Sequence, residues 1–319
     1  MRGERMFQAY INIFVIFSLM FIGYWLSYKQ WFSNRTADTF SKLVLNVSLP
    51  ANMFLTIIKN FTKDEFLSLV SGMIIPLLSM MITYFAGYLW RRFAQVETKH
   101  QGAFSAMFTF SNTIFIGLPI NLAIFGEKAV PYVLLYYIVN TTLFWTIGIF
   151  ELAKDNPNFG EARISFHPLV MLKKIFSPAL IGFIIGLIWM LFTFPLPSFV
   201  DGLGSYLADL TTPLSMFIIG IIVYFGGLKN LRMTKDIAGV LFGRFVLSPL
   251  VVWLLSRIIP VPELMLSVFI IQASMPVQNS VPILVRNYQG DEEFATSCLG
   301  YSVLLYMVYL PVLLFFFFS

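Results

Sequence analysis

The sequence predicts an all-α polytopic membrane protein, with ten transmembrane helices in two inverted five-helix repeats and broken, crossing helices four and nine. Three observations lead there. Of the 319 residues, 58% are hydrophobic and 12% charged, whereas soluble domains carry roughly 25% charged residues. Ten apolar stretches come near the ~20 residues that cross hydrocarbon as a helix. Prolines recur at matching places in the two halves.

In chain order the apolar stretches are 7–28, 40–58, 66–90, 103–125, 130–152, 175–194, 206–225, 237–259, 264–284 and 294–318. The first follows Arg2 and Arg5, but it is too long for a signal sequence and has no small-x-small cleavage site, so it reads as a retained helix. Residues 154–174 interrupt the series with Asn156-Pro157-Asn158, Gly160 and mixed charge, the make-up of a solvated linker. They divide the chain into a first repeat at 1–153 and a second at 175–319.

A shift of 163 positions superimposes Gly23 on Gly186, Pro50 on Pro213, Met53 on Met216, Phe54 on Phe217, Ser111 on Ser274, Pro119 on Pro282 and Ile120 on Ile283. Around the third stretch the shift drifts, as a loop of different length requires: Thr62-Lys63-Asp64 answers Thr234-Lys235-Asp236, and Pro76 answers Pro249. A repeat over nearly the whole chain with an odd number of spans per copy makes the second copy enter the bilayer from the other side, the construction of many secondary transporters.

Orientation follows from Lys and Arg in short loops. Six lie on one side, fourteen on the other and Arg244 within a span, which accounts for all 21. The fourteen-residue side is expected in the cytoplasm, with both termini outside a cytoplasmic membrane and the 154–174 linker inside. Arg2 and Arg5 pull the other way.

In the fourth stretch Pro119 removes a backbone donor and crowds the carbonyl of Phe115, and Gly117 weakens the same turn. The ninth has Pro276 and Pro282 among Gln272, Ser274, Gln278, Asn279 and Ser280. Unpaired backbone groups are costly in hydrocarbon, so such segments survive only where protein or a wet cavity supplies partners. Two related breaks imply one shared cavity, and exposed half-helix N-termini suit a carboxylate.

Pro76 and Pro249 read as kinks, and Pro50 and Pro213 as kinks or as a cavity wall. Arg244, inside the eighth stretch, needs compensation. It either meets a substrate carboxylate through a bidentate contact or pairs with an acid such as Asp209. Asn140, Thr141 and Thr142, with Tyr136 and Tyr137 a turn earlier, read as interhelical hydrogen-bonding residues, with lining of the same cavity as the alternative.

Several function classes are excluded. Basic residues fall between apolar runs rather than on one face for nucleic acid. Cys298, His100 and His167 are too few for a disulfide framework or a Cys/His metal cluster. Neither a HExxH zinc site nor paired intramembrane aspartates is present, so no enzymatic activity is expected.

The segment 111–145, SNTIFIGLPINLAIFGEKAVPYVLLYYIVNTTLFW, resembles the auxin efflux carrier family, which includes plant auxin exporters and bacterial malate and malonate permeases. Its Asn-Thr, Gly-x-Pro and Phe-Gly-Glu elements are all present. The second half agrees through Pro213-Leu214, Arg244 followed by Pro249, Pro276, and Tyr288-Gln289-Gly290-Asp291.

The resemblance implies a scaffold of helices 1, 2, 6 and 7, a mobile part from the rest, and a substrate beside the crossing. By position it marks Asn112, Thr113, Gly117 and Pro119 on one crossing element, and Ser274, Pro276, Gln278, Asn279 and Pro282 on the other. The Ser111-Asn112-Thr113 run lacks the proline of the plant Asn-Pro-Asn type element, which argues against auxin.

The function expected is secondary transport of a small organic anion, a dicarboxylate or monocarboxylate such as malate, by alternating access. The anion and the lipid bilayer are the expected partners, with no cofactor; coupling to H+ or Na+ and a homodimer stay open. The alternatives are a sodium-coupled symporter of the bile-acid type, with Gln278, Asn279 and Ser280 offering oxygen ligands, and a non-transporting membrane receptor.

Overall fold

The computed structural model describes residues 2–60, 62, 71–156, 176, 178–225 and 233–318. Among them all regular structure is helical, and one isolated antiparallel bridge joins Ser111 to Val277. Residues 66–70 of the third expected stretch, residues 157–174 of the expected linker, and Lys63-Asp64 of the repeat match lie outside the described residues.

α1 (Arg2–Tyr28) is followed by α2 (Asn34–Leu43), whose Ser33 cap accepts a hydrogen bond from the Thr36 amide. A π turn, Val44–Ser48, leads on into α3 (Leu49–Asn60). α4 (Ile74–Phe93) precedes α5 (Gln101–Thr109) and α6 (Gly117–Phe125), which a non-helical segment separates. α7 (Val130–Leu143) passes through a π turn, Phe144–Gly148, into α8 (Ile149–Lys154).

α9 (Pro178–Leu191), α10 (Ser198–Asp209) and α11 (Thr211–Phe225) come next. α12 (Lys235–Phe242) is joined by the π turn Gly243–Leu247 to α13 (Ser248–Ser256). α14 (Glu263–Ala273) and α15 (Val281–Asn287) again flank a gap, and α16 (Glu292–Phe318) ends the chain.

Among the described residues seven stretches are long and apolar enough to cross a bilayer: Tyr10–Tyr28, Asn34–Lys59, Ile74–Phe93, Glu127–Lys154, Ser198–Phe225, Lys235–Ser256 and Glu292–Phe316. Pro178–Leu191 and Glu263–Ala273 are apolar but shorter. Large side chains such as Phe14, Phe21, Phe85, Val308 and Phe316 stand exposed around this bundle, an apolar surface that suits lipid and not water. The chain is thus an all-helical, multi-pass membrane protein.

The prolines show how the backbone absorbs what sequence treats only as kinks. Two of the three π turns named above begin at Val44 and Gly243, each six residues before a proline, Pro50 and Pro249. Widening the turn moves the crowded carbonyl away from the ring and keeps the helix going. Pro76 falls in the first turn of α4 and Pro213 in the first turn of α11, where a missing N–H leaves no intrahelical bond unmade.

Two helix pairs pack backbone to backbone. A Cβ on Gly23 of α1 would lie 2.7 Å from the Phe217 carbonyl of α11, and one on Gly186 of α9 would lie 2.8 Å from the Phe54 carbonyl of α3. Only glycine permits that approach. Around the gaps lies a large apolar core that includes Phe104, Phe108, Phe110 and Phe269. A smaller one, with Leu49, Met53, Leu118, Val133, Phe183 and Val268, joins α3 and α9 to the broken helices.

Candidate functional site: the crossing of two broken helices

Each break lies where local chemistry requires it. Phe110 leaves α5 with extended backbone, φ −98° and ψ 142°, and helix resumes only at Gly117 with Pro119 in its first turn. α14 stops at Ala273, Pro276 lies in the gap, and Pro282 takes an early position in α15. That placement is the one a proline tolerates.

The two gaps cross. The Asn112 amide donates to the Pro276 carbonyl at 2.9 Å beside the Ser111–Val277 bridge. The Asn112 side-chain Nδ2 donates to Asn279 Oδ1 at 2.8 Å. Ser111 Oγ donates to the Gln272 carbonyl at 3.1 Å, and Gln272 Nε2 to the Thr113 carbonyl at 3.2 Å. A Cβ on Gly117 would fall 2.2 Å from Gln272 Oε1, so glycine there lets the second element pass.

Neighbouring helices satisfy the remaining opened backbone. Asn140 of α7 clamps Ser111, accepting from its amide at 3.2 Å and donating to its carbonyl at 3.1 Å. Ser302 of α16 accepts from the Val277 amide at 3.1 Å.

Arg244 is fully buried and serves both gaps at once. Its Nη1 donates to the Thr109 carbonyl at 2.5 Å, its Nη2 to the Ala273 carbonyl and its Nε to the Met275 carbonyl at 3.1 Å. Thr109 and Ala273 are the last residues of α5 and α14, so one guanidinium caps two helix C-termini, the negative ends of their dipoles. Asp209, the acid suggested as its partner, is exposed at the end of α10. The compensation that the sequence demanded comes from carbonyl oxygens, which carry no recognisable sequence signature.

Beside the crossing lies a cavity of about 700 Å³. Among the predicted site residues Asn112, Thr113, Gln278 and Asn279 line it; Gly117, Pro119, Ser274, Pro276, Pro282 and Arg244 build the crossing without being among its lining residues. Asn46, beside the suggested cavity wall at Pro50, and Tyr137, a candidate lining residue with Asn140 and Thr141, also line it; Trp145 and Asn287 line it too, positions that sequence reasoning did not assign to the site. None of the described residues that line it is charged. Two buried polar atoms of its lining residues, Gln278 Oε1 and Asn279 Nδ2, have no hydrogen-bond partner among the described residues.

A polar cluster anchors the start of α5. Asp155 accepts from the amides of Gly102 at 2.7 Å and Ala103 at 2.6 Å, a carboxylate at a helix N-terminus. Burial pushes its pKa up from 3.8 to about 6, against those two bonds, which act to lower it. Asp155 was expected in a solvated linker; it is buried instead, because α5 needs an acceptor there. His100, next to it in space, lies between Asp236 at 2.9 Å and Asp291 at 3.3 Å and stacks on Phe294.

Broken helices that cross beside a cavity lined in part by amide and hydroxyl side chains, inside a lipid-facing helical bundle, suit a membrane transporter. The family described as "Membrane transport protein" matches residues 8–314, and the chain belongs to it, the auxin efflux carrier family of the sequence resemblance.

Relatives include an "Uncharacterized transporter" of Methanothermobacter thermautotrophicus, 26% identical over 306 residues that cover 94% of this chain and 96% of the relative. The "Uncharacterized transporter YfdV" of Escherichia coli is 22% identical over 308 residues, 94% and 95% of the two chains. A protein of Rhizobium meliloti named "Putative malonate transporter" is 24% identical over 303 residues, 91% and 89% of the two.

Proposed function

We propose that this protein carries a small organic anion, a monocarboxylate or dicarboxylate of malonate or malate size, across the cytoplasmic membrane by alternating access. The observation that carries the reading is the cavity at the crossing, with Gln278 Oε1 and Asn279 Nδ2 unpaired among its lining residues. The unpaired amide donor beside the cavity offers a carboxylate an N–H group without a cationic side chain. The relative named for malonate supports the substrate class.

The architecture in this proposal is ten spans in two inverted repeats, 1–153 and 175–319, about the 154–174 linker. The glycine contacts support it: Gly23 meets Phe217 and Gly186 meets Phe54, and the members of each corresponding pair are 163 residues apart. α1–α3 with α9–α11 form the scaffold, and the other helices carry the substrate. The cavity reaches Asn46, Trp145, Pro178 and Asn287, at the helix ends that the Lys and Arg bias assigns to the cytoplasm, so this is an inward-facing state with both termini outside.

Uptake of labelled malonate and malate into proteoliposomes tests the reading. Asn112→Ala and Gln278→Ala should each lower uptake by roughly tenfold, the scale of one lost hydrogen bond to a charged group, at unchanged protein abundance. Undiminished flux in both variants would remove the site, and ligand binding without flux in the unaltered protein would favour a receptor.

A further inference from the structure

We propose that an alkali-metal cation binds where the two proline-bearing scaffold helices meet, between Ser48 and Asn52 on one and Thr211 and Ser215 on the other. These four side chains are 0%, 5%, 1% and 0% exposed. Ser48 Oγ, Asn52 Oδ1, Thr211 Oγ1 and Ser215 Oγ all lack a hydrogen-bond partner.

That is unusual within this chain. Several buried hydroxyls elsewhere donate back to their own helix, Ser27 to the Gly23 carbonyl, Thr83 to Ser79 and Thr109 to Ser105. Such back-bonding is the ordinary resolution for a helical Ser or Thr in an apolar setting. Ser48, Thr211 and Ser215 decline it, although a buried polar atom left unpaired is costly.

The placement is symmetric in the sequence. A spacing of four puts Ser48 and Asn52 on one helix face, and Thr211 and Ser215 on another. The shift of 163 that relates Pro50 to Pro213 also relates Ser48 to Thr211 and Asn52 to Ser215. The π turn carrying Ser48 packs directly against α11, which carries Thr211 and Ser215.

The chemistry selects the occupant. All four open atoms are oxygens. A single water has two hydrogens to give, whereas a hard cation is satisfied by many oxygens together. The set holds no carboxylate, which suits a monovalent ion rather than Ca²⁺ or Mg²⁺.

The same π turn supplies Leu45 and Asn46 to the wall of the uncharged cavity. A cation at Ser48 would therefore stand next to the anion's compartment and offset its charge. That coupling rests on the proposed carboxylate transport; the cation site itself does not.

The experiment is thermal unfolding of the purified protein, without any carboxylate, in Na⁺, K⁺ or choline at one ionic strength. Na⁺ or K⁺ should raise the midpoint above the choline value. Thr211→Val, isosteric but without the oxygen, should weaken the apparent cation affinity by roughly tenfold or more, the scale of one lost contact to a charge. Thr211→Ser, which keeps the hydroxyl, should retain it, and so separates ligand loss from misfolding. No cation-specific shift in the unaltered protein, or an equal shift in Thr211→Val, overturns the site and leaves ordered water there. Cation stabilisation combined with absent carboxylate flux would keep this site and sink the transport reading instead.

Discussion

The two breaks occupy corresponding places in the chain but are not equally satisfied. At the first, Asn140 closes on both backbone groups of Ser111, and Asn112 spends its side chain on Asn279 Oδ1 and the Phe115 amide. At the second, Ser302 supplies a single acceptor to Val277, and Gln278 Oε1 and Asn279 Nδ2 are left open. A doubly clamped break behaves as framework, while a singly clamped one keeps polar atoms in reserve. Under the proposed transport function, this difference gives the first element the larger part in stability and the second the larger part in ligand contact.

Arg244 serves both breaks, with one bond to the first at Thr109 and two to the second at Ala273 and Met275, so its removal should have the largest effect. Arg244→Ala strips three carbonyls of a charged donor and should cost about 4 kcal/mol or more, read as a collapse of thermal stability and uptake together. Arg244→Lys restores charge without the planar fork and should recover only part of that loss. Full stability in Arg244→Ala would show that the two helix ends need no shared cap.

Asn140→Ala sharpens the contrast from the first side. Two hydrogen bonds to buried backbone disappear, for about 2 kcal/mol, visible as a lower unfolding midpoint. Ser302→Ala on the second side removes a single bond to the break, together with the hydroxyl's back-bond to the Leu299 carbonyl, and the bond to the break should account for about 1 kcal/mol. Equal losses in the two variants would erase the asymmetry.

The smallest effect is a pH dependence at the start of α5. Because the folded-state pKa of Asp155 is raised from 3.8 to about 6 by burial, its carboxyl is favoured protonated in the fold. The stability it contributes is complete below 3.8 and is lost as pH rises through about 6. Unfolding midpoints measured across that window should decline, and Asp155→Asn should flatten the decline; an unchanged slope in the variant would place the titration elsewhere.

Much of this was legible from residues alone. Pro119, Pro276 and Pro282 marked both breaks because a proline's lost donor and ring clash are local facts, independent of the neighbours. Asn140 read correctly as a hydrogen-bonding residue between helices. Asp155 did not read correctly: Pro157 and Gly160 close by suggested solvent, and the demand of the α5 N-terminus for an acceptor appears only once α8 lies beside it.

What the sequence determined by itself was the all-helical membrane class and the places where helices stop, since a backbone in lipid must satisfy its own polar groups and proline forbids it locally. Tertiary structure alone decided which groups satisfy those stops. Arg244 reaches Thr109, 135 residues away, and Gln272 reaches Thr113, 159 residues away. Partners so distant in the chain are chosen by packing geometry, because a carbonyl oxygen accepts from any donor that the fold brings within reach.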